Sequence, residues 1–227
     1  MALKDEFPTQ ATRKINYHFD CTILNKEIPV DVWVTLPEDA RTIVHIVDGS
    51  GSGQFSESCQ FLSRALLRHG FGTCLKNFAS NEITRQNFSD SRTQRCEMLG
   101  TVYQNIFRYL RLQKEVASFP FCMLASGGGS PAALYTASIS PAQISAIAIS
   151  GGRLSDILPL ASQNTVPTLF IVGSEDVVAG KTTMAAYAAA RGPKKYHVIA
   201  GAGHLLREPG ALEEIAKESF TWFQKFS

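Results

Sequence analysis

Short apolar runs that break off into loops of glycine and small polar residues recur along the chain. They constrain the fold more than any other feature. Thr42–Val47 runs into Asp48-Gly49-Ser50-Gly51-Ser52-Gly53, and Phe119–Ala125 into Ser126-Gly127-Gly128-Gly129-Ser130. Thr168–Val172 runs into Gly173-Ser174-Glu175-Asp176, and Tyr196–Ala200 into Gly201-Ala202-Gly203-His204. A continuous apolar run, rather than an alternating one, marks a strand buried on both faces, as in a parallel sheet. Phe71–Leu75 and Ile144–Ile149 are runs of the same kind.

Helical patterns fall between these runs. Phe61, Leu62, Ala65 and Leu66 recur at helical spacing within 56–69, and Gly70 follows as a stop. Met98, Val102, Ile106 and Leu110 are in register within Ser91–Leu112, after a polar loop from Phe78 to about Asp90. Pro131–Ser138, Met184–Ala190 and Ala211–Phe226 also read as helices, whereas Leu154–Leu160 is irregular. Upstream of Thr42 the period is two, through Ile15, Tyr17, Phe19 and Cys21, then Val30, Val32 and Val34. That predicts two half-exposed strands joined by a turn near Leu24–Glu27. The whole chain, 1–227, is therefore expected to be one α/β domain with a mostly parallel sheet of about eight strands and helices on both faces.

Composition narrows the classes of function. With 227 residues and 44% of them hydrophobic, a large core is available and disorder is excluded. Basic residues (22) nearly match acidic ones (20), and neither is clustered, so no nucleic-acid partner is expected. The 5 cysteines (Cys21, Cys59, Cys74, Cys96, Cys122) are odd in number and widely spaced, without a C-x-x-C pair. They read as small buried residues in a reducing compartment rather than as disulfides or zinc ligands. Met1–Pro8 has no basic start followed by an apolar run, and no run suits a bilayer, so a cytoplasmic protein without membrane insertion is expected. Homo-oligomerisation stays open.

Ligands of open α/β sheets bind beyond the carboxyl ends of the strands. There the loops deliver a hydroxyl, a carboxylate and an imidazole in the chain order Ser126, Asp176, His204. A base must take the proton of a serine before it can attack, and a carboxylate fixes the tautomer of that base. Two serines compete. Ser126 sits in Leu124-Ala125-Ser126-Gly127-Gly128 and Ser130 in Gly128-Gly129-Ser130-Pro131-Ala132. The residue after the nucleophile must offer its N–H to the oxyanion. Pro131 has none, so Ser126 is preferred, with Gly127 as donor and Ser130 as a helix cap. His204 lies on a flexible turn past a strand. His197 lies within a strand and reads as structural; His18, His45 and His69 read as packing or surface. Glu175 adjoins Asp176 but would point elsewhere. Ser50, or failing it Gly51, is the expected second oxyanion donor, from the loop after Thr42–Val47.

Nucleotide binding is disfavoured. Position 54 is Gln, which breaks G-x-G-x-x-G after the 42–47 strand, and Lys76-Asn77 replace the acid expected after the second strand. Gly173 and Gly180-Lys181-Thr182 are too far apart for a phosphate-binding loop.

Asp48–Ser52, Ala125–Gly128, Val166–Asp176 and Ala200–Glu214 resemble the α/β-hydrolase superfamily, and within it the compact dienelactone-hydrolase-like group, in register from about residue 28 onward. The resemblance implies the roles of nucleophile, acid and base for Ser126, Asp176 and His204, and the expected activity is that of a serine hydrolase cleaving a small ester, thioester or lactone through an acyl-enzyme on Ser126, with no cofactor or metal. Only positions 150–167 separate two strands where relatives insert a helical lid, so little or no lid is expected and the pocket should be shallow, roofed by 78–90, 153–162 and Phe55. Three residues depart from the family: Asp48 where His is usual, Leu124 for the first elbow glycine, and Asn77 where Asp is frequent. They motivate a second reading, an α/β-hydrolase fold that binds a small molecule or a partner without turnover.

Overall fold

A computed structural model of the protein describes residues 11–23, 26–48, 56–78 and 92–227. The hairpin comes first: β1 (Thr12–Ile23) pairs antiparallel with β2 (Lys26–Pro37) from Thr12↔Pro37 to Ile23↔Lys26. There follow β3 (Ile43–Asp48), α1 (Glu57–Arg68), β4 (Gly72–Phe78), α2 (Arg92–Leu110), β5 (Phe121–Ser126) and α3 (Ser130–Ile139). The chain closes with β6 (Ala146–Ser150), α4 (Leu158–Ala161), β7 (Thr168–Gly173), α5 (Val177–Ala189), β8 (Lys194–Ile199) and α6 (Ala211–Phe226). The 8 strands form one sheet in the order β1-β2-β4-β3-β5-β6-β7-β8. β2 joins β4 antiparallel, and every pairing from β4 to β8 is parallel.

Alternation within the parallel strands divides the core in two. Val44 and Ile46 of β3, Cys122 and Leu124 of β5 and Leu169 and Ile171 of β7 pack with Leu62 and Leu66 of α1 and Phe223 of α6. Ile43, Val47, Phe121, Met123, Ala125 and Phe170 face the other way, against α2, α3, α4 and α5. Both faces are thus covered, and β5, β6 and β7 are buried almost along their whole length. All five cysteines are buried and none is in a disulfide. Burial pushes the thiols of Cys21 and Cys96 up, Cys96 to about 11, and takes Cys122 to about 12.

Most sequence expectations for the elements hold, and two are corrected. α5 starts at Val177, well before the expected Met184. Val177, Val178, Thr182 and Thr183 are poor helix formers and Gly180 is poorer, which hid the first turns. The side chain of Asp176 supplies what propensity lacks: it caps α5 by accepting from the Ala179 N–H at 3.0 Å. Ser130 does not cap α3. It is fully buried, and its Oγ donates to the Ser150 carbonyl at 3.2 Å, tying α3 to β6. Between β6 and β7 the structure has a 3-10 turn at Ser155–Ile157 and the one-turn α4.

His45 is enclosed in the sheet, edge-on to Tyr103 and Phe107, with neither ring nitrogen hydrogen-bonded. Burial, reinforced by Lys76, lowers its pKa from 6.5 to about 3. A base whose folded pKa is depressed binds its proton in the unfolded chain first. Stability should therefore fall as pH drops from about 6.5 to 3, by up to about 1.4 kcal/mol per unit from this residue. His45→Phe should flatten that slope in denaturant titrations across the window, and an unchanged slope would exclude His45 as its source. In the same assay at neutral pH, Phe223→Ala should cost about 3–5 kcal/mol. Leu112→Ala, at a site 80% exposed, should stay within about 0.5 kcal/mol of the parent.

Candidate active site

At the carboxyl edge of the parallel strands, the loops after β7 and β8 are joined to each other. The Ser174 N–H donates to the Ile199 carbonyl and the Glu175 N–H to the Ala202 carbonyl, both at 3.0 Å. Ser174 Oγ in turn accepts from the Gly201 N–H at 2.8 Å. The loops after β7 and β8 therefore hold Asp176 and His204 as one unit. The carboxylate oxygens divide the work: Oδ1 caps α5, and Oδ2 meets Nδ1 of His204 at 2.5 Å.

The pair is asymmetric in its exposure. The Asp176 side chain is 7% exposed and the His204 side chain 52%. Burial alone would raise the Asp176 pKa, but the Ala179 N–H, the His204 ring and the Arg153 charge together outweigh it and hold the carboxyl below its usual range. Asp176 is thus an anion against which His204 can hold a proton on Nδ1, leaving Nε2 as the ring's other nitrogen. Glu175 is exposed, and its part is the backbone bond to Ala202. His197 binds Glu214 at 2.6 Å and fastens β8 to α6, a structural role as expected.

The turn bearing His204 is held rather than flexible. The Gly203 N–H donates to Glu208 Oε1 at 2.9 Å, and Leu206 is buried with φ +50, a left-handed conformation that a leucine adopts only under constraint. Glu208, Leu206 and Arg153 were not picked out by sequence reasoning.

Ser126, Gly127 and His204 line a common cleft of about 310 Å³, together with Ser58, Leu206 and Arg207. The structure therefore gathers the serine and the imidazole, but not on the geometry expected. Ser126 is the last residue of β5, paired with Asp48 and Ser150, with extended backbone at φ −132, ψ 149. By strand alternation its side chain shares the face of Leu124 and Cys122, the α1/α6 side. No hydrogen bond links it to His204. The sharp turn falls one residue later, at Gly127 with φ +51. Ser50, the second oxyanion donor expected, lies outside the described residues, as do Gly51, Phe55 and most of the 78–90 loop. Among the described residues no three His, Cys, Asp or Glu side chains are gathered to hold a metal ion, and no helix is long and apolar enough to cross a membrane.

No protein-family model matches the chain. Two Mycobacterium tuberculosis proteins, from strains CDC 1551 / Oshkosh and ATCC 25618 / H37Rv, carry the provisional name phosphoribosyl transferase and are 32% identical to it over 198 residues. That match takes in 86% of this chain but spans only 44% of those relatives' length. Among solved structures, dienelactone hydrolase from Anabaena variabilis ATCC 29413 superposes with a TM-score of 0.82 at 23% identity, covering 94% of this chain and 98% of that one. A cold-adapted esterase from an Arctic intertidal metagenomic library superposes at 0.73 with 14% identity, covering 99% and 98%. An eight-stranded, mostly parallel sheet in this strand order, with an acid and a histidine on the loops after β7 and β8, gives this chain the α/β-hydrolase fold.

Proposed function

We propose that the cleft is the site of a hydrolase for a small ester, thioester or lactone, in which His204 is the base and Asp176 the carboxylate that orients it. One observation carries this reading. A buried anionic carboxylate holds Nδ1 of a half-exposed imidazole at 2.5 Å, on the wall of an open cleft. Nε2 can then accept the proton of an attacking O–H group while Asp176 stabilises the imidazolium, and return it to the leaving group. The N–H groups of the Gly127–Gly129 turn open α3, where the helix dipole favours a developing oxyanion. The cleft's volume lies at the lower end for ligand pockets and suits a small acyl group. The transferase name of the mycobacterial relatives belongs to proteins more than twice as long as the matched segment, and it is not carried over.

A second reading, acyl-ligand binding without turnover, is favoured by one feature: the extended Ser126 is not joined to His204. Turnover of p-nitrophenyl acetate, a short acyl thioester and a six-membered lactone separates the two.

His204→Ala should lower kcat/KM by roughly 10²–10⁴-fold on whichever substrate turns over. Asp176→Asn should lower it similarly, because the ring loses its anionic partner. Asn caps a helix as well as Asp does, so the melting temperature of Asp176→Asn should stay near the parent's. Rates unchanged in both variants would exclude this pair as the catalytic base.

A further inference from the structure

We infer that Gly127, not Ser126, holds the position from which a side-chain nucleophile would act in this turn, and that water bound beside His204 attacks the substrate directly. The inference rests on the hydrolase reading above. It starts from the backbone. A nucleophile in this fold belongs on the sharp strand-to-helix turn, where its side chain is pushed out of the sheet edge. Here that turn, with φ +51, is at Gly127, while Ser126 keeps the dihedrals of an ordinary strand residue.

Steric room gives the second argument. A Cβ placed on Gly127 would meet no heavy atom within 4 Å, so a side chain there would enter the cleft that His204 lines. Two residues on, a Cβ at Gly129 would lie 2.6 Å from the Val47 carbonyl oxygen. Glycine is enforced by packing at 129 but not at 127. The site thus has the turn, the cleft and the acid–base pair of a nucleophilic hydrolase, with hydrogen where the nucleophile's side chain would stand. Ser126 opens from the strand toward α1 and α6 and carries no hydrogen bond to the base.

A water molecule then takes the nucleophile's part. Its oxygen bonds to the substrate's carbonyl carbon as one of its protons passes to Nε2 of His204, and the carbonyl π pair moves to oxygen. As that pair returns, the bond from carbon to the leaving oxygen or sulfur breaks, and the leaving group takes the proton from the imidazolium. Acid and alcohol or thiol are released, and no acyl–protein bond forms at any stage.

Fluorophosphonate labelling followed by intact-protein and peptide mass spectrometry tests this on the wild type, Gly127→Ser, Gly127→Ser/Ser126→Ala and Gly127→Ser/His204→Ala. The wild type should stay unlabelled. Gly127→Ser should gain one adduct at residue 127, retain it in the Ser126→Ala background, and label roughly 10²-fold more slowly without His204. An adduct on Ser126 of the wild type would overturn the inference, as would a Gly127→Ser protein that melts like the parent yet stays unlabelled. A second measurement does not need the variant to fold. Wild-type protein quenched during turnover of p-nitrophenyl acetate should carry no acetyl adduct, and an acetylated Ser126 would overturn direct attack. A wild type inert to every acyl substrate, beside a labelled Gly127→Ser, would sink the hydrolase reading and direct attack by water. It would leave the assignment of residue 127 standing.

Discussion

The structure depends on taking β5, β6 and β7 out of water on both faces at once. Their side chains are mostly apolar, and each strand is paired with parallel neighbours on both sides, so neither face of these strands can be left uncovered. That requirement fixes where helices must go. α1 and α6 close one side; α2, α3, α4 and α5 close the other. It also fixes where polar chemistry can be. His45, buried within the sheet, is kept neutral by that burial, whereas Asp176 and His204 stand on the loops at the strand ends.

At that edge a single carboxylate couples fold to chemistry. Asp176 is needed to start α5, whose first turns are weak helix formers, and it is needed to hold His204. Because Oδ1 is tied to a backbone N–H, the carboxylate cannot rotate freely, and the ring inherits that rigidity. Glu208 and the constrained Leu206 brace the same ring from the far side of its loop. The imidazole is therefore oriented before any ligand arrives, which is what preorganised acid–base chemistry requires.

Much of this was legible in the sequence. Continuous apolar runs marked the parallel strands and period-two alternation marked the hairpin. The order of serine, acid and histidine after strands pointed to the right edge of the sheet. Asp176 and His204 could be chosen because each is the polar residue that ends a strand-plus-glycine pattern. What escaped was register at the scale of one residue. In Ala125-Ser126-Gly127-Gly128-Gly129 the glycines are interchangeable by composition. Only backbone dihedrals and the proximity of Val47 separate the turn at 127 from the forced close approach at 129. The start of α5 was hidden for a related reason: its stability comes from a cap and from packing, not from the propensities of its residues.

The five buried thiols have a consequence of their own. Cys74 and Cys122 lie on strands in the two core layers, Cys59 on α1, Cys96 on α2 and Cys21 on β1 of the hairpin, so each reports on a different contact of the sheet with its cover. Enclosed, their pKa values pushed upward wherever a shift is resolved, they are shielded from alkylation and oxidation while the packing holds. Their modification is therefore gated by opening of the protein itself. The chain carries five internal clocks, and the order in which a thiol reagent stops them would trace the sequence in which its layers come apart.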